Sequence, residues 1–189
     1  MSTDDLHLTS TSYVVLGIIE HRGPSTPYDL KVYVAASIGF FWSFPHAQLY
    51  SEPDRLVEAG LLTVRREEVG RRRKLYSITA SGRGALATWV AEPTDELPEM
   101  RNPALLRLFF GWMADPEALS ALAARQADAH AARLGAYQQL AASLEGVPEF
   151  VFPLSTLGLG IRYEQLCETF WREVAAAPPG APPGPVRRR

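Results

Sequence analysis

The sequence predicts a mainly α-helical protein with one small β-hairpin in its N-terminal half. Apolar residues recur at helical spacing through most of the 189 residues, and a single strand-loop-strand pattern follows Gly60. Pro93, Pro98 and Pro103 interrupt the helical pattern midway. These three observations predict a first domain in residues 1–90 and a linker in residues 91–103. An all-helical second domain is expected to follow.

The composition predicts a globular chain without membrane segments. Hydrophobic residues make up 47% of the sequence, which is enough to build a core. No apolar run approaches the roughly 18 residues of a membrane span, and the start from Met1 to His7 lacks the layout of a signal peptide. We therefore expect a cytoplasmic protein with no membrane partner. The one cysteine, Cys167, has no second thiol or spaced histidine pair to form a zinc site, so no metal and no cofactor are expected.

Positive charge is concentrated in one part of the chain, although the net charge is only −2. The stretch from Arg55 to Arg83 contains eight cationic and three acidic residues and carries +5, whereas the rest of the chain is acidic. A basic face on an anionic body is typical of a protein that meets DNA with one surface. From charge alone, a solvated hairpin edge protected by arginines is an equally good interpretation.

Three short helices are predicted before the hairpin. The first covers the apolar run from Tyr13 to Ile19 and ends at Gly23-Pro24. The second begins after Thr26 with a proline in its first turn and stops near Gly39. The third runs from its N-cap Ser43 to about Ala59.

The pattern changes to strands after the third helix. Leu61 to Arg66 and Leu75 to Ile78 flank a loop, Glu67 to Lys74, that contains Gly70 and four consecutive cations. Three helices followed by such a hairpin predict a winged helix-turn-helix, in which the hairpin is called the wing. In this fold the third helix enters the major groove of double-stranded DNA and the wing tip approaches the phosphate backbone.

Several short segments in residues 12–86 occur in an order that is specific when they are taken together. They are Tyr13-Val14-Val15-Leu16-Gly17-Ile18-Ile19, Phe41-Trp42-Ser43, Gln48-Leu49-Tyr50, Arg55-Leu56, Ala59-Gly60-Leu61-Leu62, Tyr76-Ser77-Ile78-Thr79, Gly82 and Leu86. In these segments the chain resembles the PadR-like transcription regulators. The resemblance implies a DNA-binding regulator, expected to be a repressor, in which a C-terminal α-helical dimerisation module pairs two winged domains on a palindromic operator.

The resemblance assigns DNA contact to the third helix and the wing. The amide of Gln48 can read adenine, His46 can contact a base or a phosphate, and the nearby hydroxyls can donate to phosphates. For Tyr50 the alternative is a core aromatic whose hydroxyl reaches the rim. The candidate DNA-binding residues are Ser43, His46, Gln48, Tyr50 and Ser51 on the helix and Arg71, Arg72, Arg73 and Lys74 on the wing.

Pro53 conflicts with a regular third helix because it removes a backbone donor. One possibility is a helix with a kink near Leu49. The other is two shorter helices, the second of which begins near Glu52 with Ser51 as its cap.

The second domain, residues 104–176, is predicted to be helical and to join two subunits. An apolar segment spans Ala104 to Met113, a long alanine-rich helix runs from Asp115 to about Leu144, and a last helix covers about Leu157 to Ala175. Apolar faces around Leu134 to Leu144 and on the last helix are expected to be buried from solvent, and a symmetric homodimer would bury them. Residues 177–189, which are rich in proline and end in three arginines, are expected to form a disordered tail.

Large aromatic residues are also abundant outside the DNA-binding half. Phe109, Trp112, Phe170 and Trp171 are candidates for stacking on a small apolar or aromatic effector near the dimer centre. Members of the family that the chain resembles often respond to such ligands. The alternative role for these residues is ordinary dimer core.

Catalysis is not expected of this sequence. The histidines are scattered without a neighbouring nucleophile, and Gly158-Leu159-Gly160 lacks the third glycine and the strand-turn-helix context of a nucleotide-binding loop. The remaining alternative is a winged-helix module that holds another protein without specific DNA binding. The basic hairpin is the feature that discriminates, because a protein-binding winged domain does not need one.

Overall fold

The chain folds into two compact units, one up to Glu96 and one from Leu97. The computed structural model describes residues 7–42, 47–67 and 72–179. The first unit contains helices α1 (Ser10–Arg22), α2 (Pro27–Ala36), α3 (Gln48–Glu58) and α4 (Ala80–Ala91) and strands β1 (Leu62–Arg66) and β2 (Lys74–Ile78). The second contains helices α5 (Pro103–Phe109), α6 (Pro116–Leu144) and α7 (Val151–Ala176). The predicted class, mainly helical with one hairpin, is confirmed.

Reciprocal caps fix the first residues of α1 and α2. The Thr9 backbone N–H donates to Ser12 Oγ at 2.8 Å, and the Ser12 N–H donates back to Thr9 Oγ1 at 3.4 Å. Thr26 and Asp29 make the same exchange at the start of α2. Such a capping box satisfies two backbone donors that have no partner within the helix. It therefore begins α1 at Ser10, three residues before the predicted apolar run.

Helix α2 ends earlier than the sequence predicted. Its last residue is Ala36, and Ile38–Phe40 form a separate 3-10 turn instead of continuing the helix to Gly39. Ser37 leaves the helical region, with φ −138° and ψ −90°, and its hydroxyl donates to the Tyr33 carbonyl at 2.6 Å. A serine that bonds to local backbone competes with helix propagation, which explains the early stop.

Helix α3 is continuous across Pro53. It runs from Gln48 to Glu58, so the alternative of two shorter helices is wrong. Ala47 precedes the helix without a side-chain cap, and Ser43, the expected N-cap, lies outside the described residues. Pro53 lies on the buried face beside Leu49 and Leu56. Its ring therefore contributes apolar packing that offsets the lost backbone hydrogen bond.

The core of the first unit holds α3 between α1, α2 and the hairpin. Leu49 and Leu56 of α3 have no exposed surface, and neither do Leu16 of α1 and Leu30 of α2. The remaining buried members of this core are Val15, Ile18, Ile19, Val34, Leu61, Leu62 and Tyr76. Because α3 buries its apolar face this completely, its opposite face is the one left for a partner.

The hairpin is antiparallel and begins and ends within a residue of the predicted strands. Leu62 pairs with Ile78 at its base and Arg66 pairs with Lys74 next to the loop. Ser25, between α1 and α2, forms a further bridge to Tyr76, in which each backbone N–H donates to the other residue's carbonyl at 3.0 and 2.9 Å. Strand β2 is thus held on both edges at Tyr76.

Helix α4 begins against the base of the hairpin. Thr79 caps it by accepting the Gly82 N–H at 3.0 Å, while the Thr79 N–H donates to the Leu61 carbonyl. A Cβ at Gly82 would lie 2.2 Å from that carbonyl oxygen and 2.8 Å from Ile78 Cγ1. Only glycine allows the helix to approach the turn after α3 so closely.

Replacing Gly82 with alanine should therefore destabilise the protein, whereas the same change at Gly84 should not. Gly84 has no atom within 4 Å of an added Cβ. Gly82→Ala is expected to lower the free energy of unfolding by about 1 to 3 kcal/mol through overpacking. Gly84→Ala is expected to be neutral or to stabilise by up to about 1 kcal/mol through the unfolded state. Urea unfolding followed by circular dichroism measures both, and equal effects would contradict the close approach.

The second unit is built on the long helices α6 and α7. Ala123 and Ala127 of α6 are fully buried, as is Trp171 of α7, and together with Ala104 of α5 they form the core. Small residues on α6 leave room for the indole ring. A buried polar contact adds to this packing, because His130 Nδ1 lies 2.5 Å from Glu164 Oε2. Among the described residues, no helix is long and apolar enough to cross a membrane.

Helix α7 is longer than predicted. It starts at Val151, six residues before the expected Leu157, because a 3-10 turn at Pro148–Phe150 leads directly into it. Pro153 is the third residue of the helix, where its missing N–H has no intrahelical partner to lose. Tyr137 of α6 is buried and packs against Gly160 of α7, where an added Cβ would lie 3.2 Å from the Tyr137 ring. Part of the apolar face predicted around Leu134 to Leu144 is therefore covered within the chain.

Candidate nucleic-acid interface

A polar network fixes α3 on α1. Ser12 has no exposed surface, and its hydroxyl donates to Glu52 Oε1 at 2.5 Å while accepting Arg55 Nη2 at 2.9 Å. Arg55 also forms a salt bridge with Glu52 at 2.6 Å. Burial raises the pKa of Glu52, but the bonds from Arg55 and Ser12 outweigh burial and hold the pKa below its ordinary value. On the side of α3 that faces α1, the charges of Glu52 and Arg55 therefore neutralise each other.

Gln48 lies at the first position of α3 and is exposed, but its amide is partly engaged. Thr11 of α1 donates its hydroxyl to Gln48 Oε1 at 2.9 Å. Reading adenine with both ends of an amide requires the oxygen as an acceptor and the nitrogen as a donor. In this arrangement the amide nitrogen is the end that remains available to a partner.

The other candidate residues of this helix are Tyr50 and Ser51, which the structure describes, and Ser43 and His46, which it does not. Tyr50 is 48% exposed, which places its ring at the surface rather than in the core. Ser51 is exposed one residue further on, and its hydroxyl makes only long contacts of 3.5 Å to the carbonyls of Ala47 and Gln48. The exposed hydroxyls of Tyr50 and Ser51 can both donate to a phosphate.

Two of the predicted wing cations are paired with acids. Lys74 Nζ donates to both carboxylate oxygens of Asp54 on α3, at 2.8 and 2.6 Å. Arg73 donates to Glu67 across the loop, Nε to Oε2 at 3.0 Å and Nη2 to Oε1 at 3.2 Å. Arg72 is exposed and adopts a positive φ of 48°, while Arg71 lies outside the described residues.

Arg65 and Arg66 were absent from the predicted site, and the structure places them beside it. Both are exposed at the loop end of β1, and among the described residues neither forms a salt bridge with an acid. Their position in the basic stretch from Arg55 to Arg83 is the sequence signal that could have identified them. The wing residues named from the sequence were Arg71 to Lys74, which left out β1, although alternation along β1 directs one arginine to each face of the hairpin.

The aromatic residues proposed for a ligand site have different environments. Phe109, Phe110 and Trp112 form an exposed cluster with ring centroids 5.1 to 6.3 Å apart. Phe170 is partly exposed and packs edge-on against Trp171. Trp171 is only 1% exposed and belongs to the core, so within one chain its ring has no free face for stacking.

The Ser12 network predicts a measurable contribution to the stability of the first unit. Ser12→Ala removes the hydrogen bonds of this buried hydroxyl to Glu52, Arg55 and the Thr9 backbone N–H, so the free energy of unfolding should fall by about 1 to 3 kcal/mol. Ser10→Ala, an exposed position on the same helix, should change it by less than about 0.5 kcal/mol. Urea unfolding compares the two variants. Equal stabilities would show that the network does not hold α3 in place.

Two family models match the chain in succession. The one described as "Transcriptional regulator PadR-like family" matches residues 15–88, and the one described as "Virulence activator alpha C-term" matches residues 100–177. A curated relative from Bacillus subtilis, "Negative transcriptional regulator PadR", is 29% identical over 139 residues, which are 70% of this chain and 76% of the relative. The match to the PadR-like model begins within α1 and ends within α4.

Solved structures share the fold across nearly the whole chain. Bacillus subtilis PadR in complex with operator DNA has a TM-score of 0.78 and 24% identity, covering 89% of this chain and 98% of that one. The same protein in complex with p-coumaric acid has a TM-score of 0.73 and 23% identity, with 90% and 97% covered. The Vibrio cholerae virulence activator AphA has a TM-score of 0.65 and 28% identity, with 88% and 96% covered.

Proposed function

Because the chain belongs to the PadR-like family of transcriptional regulators, which are DNA-binding proteins rather than enzymes, we propose that it is a repressor. In this proposal it binds a palindromic operator as a homodimer and is released by a small aromatic ligand. The observation that carries the DNA-binding part is the exposed face of α3 beside the cationic end of β1. The Bacillus subtilis relative is named a negative regulator, which favours repression.

The proposed interface divides recognition between helix and wing. The early turns of α3 present Gln48, Tyr50 and Ser51 to the major groove, with Ser43 and His46 as further candidates before the helix. Phosphate contacts come from Arg71 to Arg73 and from Arg65 and Arg66 on β1. The salt bridge with Glu67 weakens the attraction of Arg73 for a phosphate, because the Glu67 carboxylate already neutralises the Arg73 guanidinium.

Salt dependence tests the β1 part of this interface. The double variant Arg65→Ala/Arg66→Ala should weaken binding to all DNA sequences and flatten the plot of log affinity against log salt by up to about 0.9 per lost phosphate contact. The control replaces two exposed arginines of the second unit, Arg101 and Arg125, with alanine. Fluorescence anisotropy with labelled duplexes measures both. If the two double variants have the same slope as the unaltered chain, β1 does not contact phosphates.

The homodimer part of the proposal rests on an apolar stripe on α7. Phe152, Leu159, Tyr163, Leu166 and Phe170 follow one another at intervals of 7, 4, 3 and 4 residues, which places them on one side of a helix. All five are exposed, and Leu159 and Leu166 are each 68% exposed. An apolar stripe of this length on a single chain favours burial against a second copy.

A charge in this stripe should dissociate the proposed dimer. Leu159→Asp and Leu166→Asp are expected to shift the protein from dimer to monomer at micromolar concentration, because a carboxylate in an apolar interface is costly to bury. Gln165→Asp, an exposed position of α7 away from the stripe, is the control. Sedimentation velocity provides the measurement. Two stripe variants that remain dimeric would show that the subunits meet elsewhere.

The ligand part of the proposal concerns the exposed aromatic rings of the second unit. Phe109, Trp112 and Phe170 offer faces for stacking, and Trp171 supports Phe170 from the core. The Bacillus subtilis relative has been solved with p-coumaric acid, which is a flat aromatic acid of the kind that such rings would accept. A ligand releases DNA only if it binds the non-binding arrangement of the protein more tightly.

Titration with p-coumaric acid tests whether a ligand releases the protein from DNA. Tryptophan fluorescence should be quenched and operator affinity should fall over the same concentration range. Trp112→Leu should weaken both effects together, whereas Trp89→Leu in the first unit should preserve the loss of operator affinity. Quenching that leaves operator affinity unchanged would remove ligand control from this proposal.

A further inference from the structure

Asp54 joins the recognition helix to the wing. It lies on α3, and its carboxylate accepts three hydrogen bonds from β2: two from Lys74 Nζ, at 2.8 and 2.6 Å, and one from the Tyr76 hydroxyl at 2.7 Å. These bonds connect residues that are 20 and 22 positions apart in the sequence. The contact therefore exists only in the folded unit.

Tyr76 makes this contact rigid. Its side chain is 1% exposed, and its backbone is paired on one edge of β2 with Val64 and on the other with Ser25. The hydroxyl that reaches Asp54 is therefore held by the core of the unit. Hydrogen bonds from Lys74 and Tyr76 hold the pKa of Asp54 below its ordinary value, so the carboxylate is charged at neutral pH.

The charge on Lys74 is consequently neutralised by Asp54 at the surface of the unit. Its side chain is 37% exposed, and among the described residues its ammonium group donates to both carboxylate oxygens of Asp54. A DNA phosphate that approached Lys74 would also approach the Asp54 carboxylate, and two anions at one cation repel each other. Arg66, the cross-strand neighbour of Lys74, has no such salt bridge among the described residues.

We propose that Asp54 is a positioning and specificity-determining residue that withholds Lys74 from the DNA backbone while it fixes the wing against α3. It lowers the affinity of the wing for DNA of any sequence, because one cation per subunit is removed from the phosphate-binding surface. It preserves recognition by α3, because the angle between helix and wing stays fixed. This inference rests on the proposed operator binding.

The test compares Asp54→Asn, Lys74→Gln and the double variant in the full-length chain. Asp54→Asn keeps the size of the side chain but releases Lys74 as a cation. It should steepen the salt slope by about 0.9 for each lysine that reaches a phosphate, raise affinity for non-operator DNA, and lower the ratio of operator to non-operator affinity. Lys74→Gln should leave the slope unchanged. The double variant should return the slope of Asp54→Asn to that of the unaltered chain.

A merely structural role for Asp54 would weaken binding without steepening the slope, and that result overturns the inference. A flattened slope in Lys74→Gln overturns it as well, because it would show that Lys74 contacts a phosphate in the unaltered chain. Lys74→Gln keeps this test available even if Asp54→Asn fails to fold. Failure of the unaltered chain to bind any duplex is a different outcome, since it rejects the proposed function itself together with this inference.

Discussion

The burial of one face of α3 is the constraint on which the DNA-binding unit depends. Leu49, Pro53 and Leu56 are buried against the neighbouring elements, and burying side chains of this size stabilises a fold by about 1.5 to 3 kcal/mol each. The buried hydroxyl of Ser12 then fixes the helix in rotation through Glu52 and Arg55. Apolar burial thus sets which face α3 exposes, and the polar network ties the middle of the helix to α1.

Salt bridges neutralise part of the basic surface that the composition of residues 55–83 predicts. Of the cations that the structure describes from Arg55 to Arg83, four have acidic partners: Arg55 with Glu52, Arg73 with Glu67, Lys74 with Asp54 and Arg83 with Glu20. Exposed pairs of this kind contribute little to stability. Their effect on DNA binding is larger at the wing, because the carboxylates beside Arg73 and Lys74 neutralise charges that a phosphate would otherwise meet. The candidate interface consequently extends down β1 to Arg65 and Arg66.

The order of elements could be read from the sequence because it depends on local signals. Thr26 and Pro27 mark the start of α2, Gly60 marks the turn after α3, and alternation identifies both strands. Positions that depend on contacts distant in the sequence could not be read in this way. The pairing of Lys74 with Asp54 spans 20 residues, and the burial of Trp171 depends on alanines of α6. Pro53 suggested two shorter helices as one alternative, but a proline on the buried face of α3 is accommodated within one helix.

Selection of bound sequences from random double-stranded DNA decides whether the protein is an operator-binding dimer, because it measures binding and identifies the site together. A dimeric regulator of this fold should enrich a two-fold symmetric sequence whose half-sites lie one helical turn of DNA, about 10 base pairs, or a multiple of it apart. A chain with Leu159→Asp should enrich this sequence much more weakly. A pool that shows no enrichment, or that converges on one asymmetric half-site, would contradict a dimeric operator-binding regulator.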